Sequence, residues 1–200
     1  FRGIGADCLI EGGQTMNPST EDILHAAEQV PAMDVYVLPN NKNIVMAAEQ
    51  AARLARTSGV RRIHVVPTTT IPQGISAMMA YDESAEIKDN VEAMQEAASR
   101  VQSGSVTFAA RDSDYDGHQI KEGELLALEN GKVAFTGTDL GSVTAKVAKD
   151  LMQEGSQFIT LLYGEGVTEE QAADVEEAVR SLLPEEVELT VAYGGQPGYY

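Results

Sequence analysis

The stretch that decides the fold runs Val35-Tyr36-Val37-Leu38-Pro39-Asn40-Asn41-Lys42-Asn43-Ile44-Val45-Met46-Ala47-Ala48. Its first residues form a short apolar run, which is typical of a parallel strand whose two faces are both covered. Pro39 has no N–H group to donate, so it ends the ladder of strand hydrogen bonds. The asparagines that follow can cap the free N–H groups of a helix start. The stretch therefore predicts a strand, a polar turn and a helix, with the turn at the edge where open α/β sheets place their contact loops.

The same order of elements is expected three times in the first half of the chain. The three predicted strands are Ala6 to Ile10, the strand that begins at Val35, and Arg61 to Val66. The turns after them contain, in order, Gly12-Gly13-Gln14, Asn40-Asn41-Lys42 and Thr68-Thr69-Thr70. Strands that alternate with helices indicate right-handed βαβ crossovers, so we expect a parallel sheet.

The second half has a different pattern of short strands and tight turns. Asn130-Gly131 between apolar runs is the strongest short-range hairpin signal, and it predicts strands at Leu125 to Leu128 and Val133 to Thr136. Helices are expected at Leu140 to Gln153 and Thr168 to Leu183, and further strands at Val106 to Ala110, Phe158 to Tyr163 and Val187 to Ala192. The predicted fold class is α/β with two subdomains. A parallel-sheet βαβ half at 1–84 is followed by a linking helix at 85–103 and a mixed, partly antiparallel α/β half at 104–200.

Composition excludes several classes of partner. The formal net charge is −17, from 31 acidic and 14 basic residues, and binding to nucleic acid or an anionic membrane needs clustered cations. The single cysteine, Cys8, cannot form an internal disulfide, so we expect a reducing, cytoplasmic location. No apolar run approaches the roughly 20 residues of a membrane span. Because Phe1 opens the chain in place of an initiator Met, we expect it to be part of a longer protein.

No set of catalytic or metal-binding residues stands out. His25, His64 and His118 fall on a predicted helix, strand and loop, with no spacing that indicates a shared metal. The alternating acids Asp112, Asp114 and Asp116 before Gly117 resemble the start of a calcium loop, but Gly123 occupies the position of the closing glutamate. We therefore expect a polar loop there, and neither a metal nor a catalytic residue.

The three polar turns allow two interpretations. If the strands pair side by side, the turns line one edge of the sheet and can hold an oxyanion or an extended loop of a partner. Alternatively, each turn only caps its own helix. Lys42 favours binding slightly, and Arg111, at a strand end expected to face the first subdomain, is a further candidate cation.

Four segments in order resemble the carboxyl-terminal domain of a bacterial fatty acid kinase family whose members are also called dihydroxyacetone-kinase-like or YloV-like. They are Glu11-Gly12-Gly13-Gln14-Thr15-Met16-Asn17-Pro18-Ser19-Thr20-Glu21-Asp22, Leu38-Pro39-Asn40-Asn41-Lys42-Asn43, Pro67-Thr68-Thr69-Thr70-Ile71-Pro72-Gln73-Gly74 and Gly194-Gly195-Gln196-Pro197. The resemblance covers essentially the whole chain and implies a DegV-type fold.

The resemblance also implies a function. In this family an amino-terminal kinase domain binds ATP and magnesium, and a middle domain follows. A fatty-acid-binding DegV-type partner protein presents the acyl carboxylate, and the acyl phosphate formed feeds phospholipid synthesis. This chain contains neither other domain, so it is expected to need no cofactor, to be inactive alone, and to dock or position the partner.

A second function stays open, in which this domain itself binds a fatty acid or small carboxylate in the interdomain cleft. The DegV-type relatives hold the carboxylate with hydroxyl residues of the first domain and a His and an Arg of the second. Thr68 to Thr70 and Arg111 could supply part of that set, but the loop expected to contain the histidine is Ala192-Tyr193-Gly194-Gly195-Gln196. The candidate binding or docking rim is therefore Gly12, Gly13, Gln14, Asn40, Asn41, Lys42, Thr68, Thr69, Thr70, Arg111, Gly194, Gly195 and Gln196.

Overall fold

The structure is a computed structural model that describes residues 1–11, 17–115 and 117–200. The chain divides into two compact units, Phe1–Val101 (unit 1) and Gln102–Tyr200 (unit 2). Within the described residues, unit 1 contains a 3₁₀ helix at Arg2–Ile4, α1 (Thr20–Gln29), β1 (Asp34–Val37), α2 (Lys42–Ser58), β2 (Arg62–Val65), α3 (Ile71–Met79) and α4 (Ile87–Ser99).

The two strands of unit 1 pair in parallel and have helices on both faces. Val35 lies beside Ile63, and these two residues belong to a core formed with α1 and α2 through Ile23, Ala27, Ala48, Ala51 and Ala55. The opposite face carries Tyr36, which packs against a second core formed by Val66, Ala77, Met94 and Ala98. The buried alanines of α2 are at most 2% exposed, which fits a helix that approaches its sheet closely. The predicted parallel βαβ arrangement is thus confirmed for β1 and β2.

Unit 2 contains two sheets packed on one pair of helices. In the described residues its elements are β3 (Gly104–Phe108), β4 (Ser113–Tyr115), β5 (His118–Ile120), β6 (Leu125–Glu129), β7 (Lys132–Gly137), α5 (Leu140–Leu151), β8 (Phe158–Tyr163), α6 (Glu169–Leu182) and β9 (Glu188–Tyr193). The antiparallel sheet β3-β6-β7 packs on Val143 and Val147 of α5. The parallel pair β8-β9 packs on α5 and α6 through Ala145, Ala148, Val179 and Leu189. The predicted mixed, partly antiparallel architecture is therefore confirmed.

The last residues of the chain lie between the two sheets of unit 2. Tyr199 forms an antiparallel bridge with Thr107 of β3, and the Tyr200 N–H donates to the Val106 carbonyl at 3.0 Å. On the other side, a Cβ atom at Gly164 would overlap the Tyr199 carbonyl oxygen. Glycine at position 164 thus leaves room for the chain end beside β8.

Two expectations for local structure are wrong. Ala6 to Ile10 is not a strand: it pairs with no described strand, and Leu9 and Ile10 are about 40% exposed. An apolar run forms a strand only when a neighbouring strand and a core are available to it. The polar loop near Asp114 is a short hairpin, in which β4 pairs with β5 and Ser113 lies opposite Ile120. The buried Ile120 anchors this otherwise exposed hairpin, while Asp116 lies outside the described residues.

Candidate functional site

Two of the predicted polar turns meet at the carboxyl edge of the β1–β2 sheet. Because the strands are parallel, the turns that follow them lie at the same edge. The Asn40 backbone N–H donates to Thr68 Oγ1 at 3.0 Å, and the Thr68 hydroxyl donates to Asn40 Oδ1 at 2.8 Å. Thr68 is only 1% exposed. The Thr68 hydroxyl therefore serves the neighbouring turn, as donor and as acceptor.

The Asn40 side chain also contacts the helix that follows the second turn. Its carboxamide lies against Gly74 of α3, where a Cβ atom would overlap it. Asn40 has φ 56°, in the left-handed region that asparagine tolerates better than most residues. A single side chain thus connects the turn after β1, the turn after β2 and α3. We call Asn40, Thr68 and Gly74 the turn clamp.

The other predicted residues of these turns divide into helix caps and exposed groups. Asn41 caps α2 by accepting from the Asn43 N–H at 2.9 Å, and Thr70 caps α3 by accepting from the Gln73 N–H at 3.2 Å. Thr69 donates both its N–H and its hydroxyl to Gln73 Oε1, at 2.7 and 3.0 Å. Helix capping thus accounts for part of the polar turn chemistry.

Three side chains at or near this edge remain exposed. Lys42 at the start of α2 is largely solvent-accessible and forms no ion pair with a described residue. Met46, one helical turn further along α2, is 77% exposed, and Ile71 at the start of α3 is 53% exposed. We call Lys42, Met46 and Ile71 the edge patch. It combines one cation with two apolar side chains, a composition suited to contact with another protein.

The predicted glycine–glutamine segment forms a turn in unit 2. Gln196 Nε2 donates to the Leu162 carbonyl at 2.7 Å, and the Gly194 N–H donates to the Tyr163 carbonyl at 2.9 Å. Gly195 has φ 68° and lies against the Tyr193 ring. The segment therefore folds back over the end of β8.

The remaining predicted residues fall elsewhere. Gly12, Gly13 and Gln14 lie outside the described residues. Arg111 is exposed between β3 and β4 and forms no ion pair with any described residue. The structure thus brings the asparagine and threonine turns together, and it places Arg111 and the glycine–glutamine turn in unit 2.

Sequence reasoning missed one polar cluster, which lies at the amino end of the β1–β2 sheet. Arg62 Nε and Nη2 donate to the two carboxylate oxygens of Asp34, at 2.7 and 2.6 Å, and His64 Nε2 lies 2.9 Å from Asp34 Oδ1. The Arg62 fork, followed by His64, holds the pKa of Asp34 well below its usual range. The cluster forms one wall of a shallow groove whose other wall is α4. Its signal in the sequence was the strand register, which sets Asp34 beside Arg62.

Two searches of the described residues were negative. No group of three or more His, Cys, Asp or Glu side chains among them is placed to hold a metal ion. No helix in the described part of the chain is long and apolar enough to cross a bilayer.

Comparison with known sequences gives a consistent result. The FakA-like family model, which describes the C-terminal domain of fatty acid kinase, matches residues 1–200. Protein YloV of Bacillus subtilis is 41% identical over 199 residues, which is 100% of this chain and 35% of that protein. An uncharacterized protein of Staphylococcus haemolyticus is 42% identical with the same coverage. The chain thus spans about a third of the length of these relatives.

Comparison with solved structures shows the fold. A DegV family protein of Corynebacterium glutamicum has a TM-score of 0.64 at 16% identity, covering 91% of this chain and 76% of that chain. A DegV family protein of Ruminococcus gnavus, described with vaccenic acid, has a TM-score of 0.63 at 12% identity, covering 90% and 72%. A Thermotoga maritima protein, described as revealing a fatty acid binding function, has a TM-score of 0.51 at 16% identity, covering 95% and 72%. The fold is therefore DegV-like.

Proposed function

The chain belongs to the FakA-like C-terminal family of fatty acid kinases, and we propose on that premise that it is the non-catalytic docking domain of a cytoplasmic fatty acid kinase. It positions a fatty-acid-binding protein of the DegV type so that a kinase domain elsewhere in the same protein phosphorylates the acyl carboxylate. ATP and magnesium belong to that kinase domain. The acyl phosphate formed supplies phospholipid synthesis.

The observation that carries this proposal is the turn clamp. The Thr68 hydroxyl is buried and already donates to Asn40 Oδ1 while accepting from the Asn40 N–H. A carboxylate ligand at this turn would have to displace the Asn40 carboxamide and leave a buried group without its partner, which costs about 1–3 kcal/mol. The clamp thus supports a domain that has a DegV-like fold but uses its surface to bind a protein.

The edge patch supplies the surface for docking. Met46 is the most exposed of the large apolar side chains in the described residues. Methionine is enriched where proteins meet, because its flexible thioether adapts to different contacts. Lys42 adds a cation without an ion-pair partner among the described residues, and it can contact a carboxylate of the partner. We therefore expect the partner to cover the start of α2.

The test compares two methionines with nearly equal exposure. Met46 is 77% exposed in the second turn of α2, whereas Met79 is 75% exposed at the end of α3. Met46→Asp and Met79→Asp are made in the full-length protein, and binding to an oleate-loaded DegV-type protein is measured by calorimetry. We expect Met46→Asp to weaken binding about tenfold or more, as a residue at the centre of an interface does, and Met79→Asp to have little effect. No binding by the unmodified protein would refute the docking function itself. Equal effects of the two substitutions would refute its placement at the edge patch.

The second candidate function is binding of a fatty acid or small carboxylate by this domain. The observation that favours it is the fold shared with proteins described with vaccenic acid or with a fatty acid binding function. A thermal shift measurement with oleate separates the two functions, because a ligand that binds the native state raises the melting temperature with concentration. We expect no saturable shift in a protein trimmed to this domain. A saturable shift that disappears in Thr68→Val would establish the second function.

A further inference from the structure

The β6–β7 turn holds the segment that enters unit 2 from unit 1. Its central residues, Asn130 and Gly131, have φ 49° and 81°, and both lie in the left-handed region that a two-residue hairpin turn requires. Asparagine and glycine are the residues that adopt this conformation most easily. A glycine could therefore replace Asn130 without disturbing the turn.

The side chain of Asn130 performs a task that a glycine could not. The β3–β6 register sets Gly104 opposite Glu129, so Ser103 lies opposite Asn130. The Asn130 N–H donates to the Ser103 carbonyl at 2.7 Å, and the Ser103 N–H donates to Asn130 Oδ1 at 3.2 Å. The side-chain oxygen thus accepts the bond that a backbone carbonyl accepts in a regular antiparallel pair. Asn130 Nδ2 then donates to Gln102 Oε1 at 3.0 Å, one residue closer to unit 1.

The residue before this segment is held by unit 1. The Val101 N–H donates to the Ala98 carbonyl at 3.2 Å, as a continuation of the last turn of α4. Val101 is the last residue of unit 1 and Gln102 the first of unit 2. Two consecutive residues are therefore each anchored, one to α4 and the other to the β6–β7 turn.

We propose that Asn130 is a latch that shortens the joint between the two units to the Val101–Gln102 peptide. While the Asn130 side chain holds Gln102 and Ser103, the chain has almost no free length at the joint. When the latch opens, residues 101–103 become a flexible linker. This inference stands independently of the docking function, because it depends only on the hydrogen bonds of Asn130.

Trypsin provides the test, because Arg100 lies directly before the joint. A protease cleaves at a rate that follows the open population when opening and closing are fast. In the full-length protein, Asn130→Gly keeps the turn and removes both side-chain bonds, so we expect cleavage after Arg100 to become about tenfold faster, the change that loss of hydrogen bonds worth about 1.4 kcal/mol produces. Asn130→Asp keeps an acceptor for Ser103 but loses the donor to Gln102, so its rate should lie between the two. Cleavage after Arg56, near the end of α2, is the internal reference.

The outcomes are decisive in either direction. Cleavage after Arg100 that is faster in Asn130→Gly, with an unchanged rate after Arg56, supports the latch. Equal rates after Arg100 in Asn130→Gly and the unmodified protein overturn it. If Asn130→Gly fails to fold, Gln102→Ala removes one bond from the other side and leaves the turn intact. It should speed cleavage about threefold, the share of a single hydrogen bond, and an unchanged rate there would also overturn the proposal.

Discussion

Replacing Thr68 with valine tests whether the turn clamp serves the fold. Valine keeps the shape of the threonine side chain and removes its hydroxyl, so both bonds to Asn40 are lost. Each such bond contributes about 0.5–1.5 kcal/mol net, and at 1% exposure water cannot replace the lost partner. We therefore expect the free energy of unfolding to fall by about 2 kcal/mol. In urea, where m is about 1–3 kcal/mol/M, the midpoint should fall by roughly 1 M.

Thr69→Val is the matched control. Thr69 is exposed, and its hydroxyl shares the Gln73 acceptor with its own N–H, so the change should cost less than about 0.5 kcal/mol. A double-mutant cycle of Thr68→Val with Asn40→Gly should give a coupling of about 1 kcal/mol or more, because the two residues bond to each other. Equal unfolding free energies for the Thr68 and Thr69 variants, or an additive cycle, would refute the clamp and with it the main reason to prefer docking.

Three further outcomes are expected. Docking should weaken as salt rises, since a chain of charge −17 that meets a basic patch on its partner loses its attraction when charges are screened; an affinity that stays constant over about a tenfold range of salt concentration would argue against attraction by charge. Burial, and then the neighbouring Asp150 carboxyl, raise the pKa of Glu129. A raised carboxyl pKa favours folding fully below its unfolded value and loses that contribution as pH rises through the folded one, so the melting temperature of Glu129→Gln should gain on the unmodified protein between about pH 4 and 7, whereas exposed Glu122→Gln should show no such trend. Gly164→Ala should destabilise unit 2 by about 1–3 kcal/mol, because the new Cβ would overlap Tyr199; a urea midpoint equal to that of Gly166→Ala, where a Cβ meets nothing within 4 Å, would contradict this.

Local patterns predicted much of the fold. The apolar run at Val35 and the proline after it predicted β1 and its end, and Asn130-Gly131 predicted the β6–β7 hairpin. The strand predicted at Phe158 to Tyr163 has the same bounds in the structure. These elements could be predicted because neighbouring residues in the sequence determine them. Ala6 to Ile10 lacked such a determinant, since a strand also needs a partner that the sequence does not reveal.

The candidate site was less predictable, because its bonds join distant segments. The three turns contain residues that can either cap a helix or bind a ligand, and only the position of α3 shows that Asn40 points at Gly74. Asp34, Arg62 and His64 come together only through the parallel register. Donors and acceptors can thus be listed from the sequence, but the direction in which each one points depends on tertiary packing.

The inward bonds of the Gly194–Gln196 turn have a consequence for tracing relatives of this domain. Gln196 donates to the Leu162 carbonyl within its own unit. Chains that share this short segment consequently share a way of closing the second sheet, whatever they bind. Homologues with the same biological role are better sought through the surface at Lys42 and Met46, where a change of partner would leave its trace.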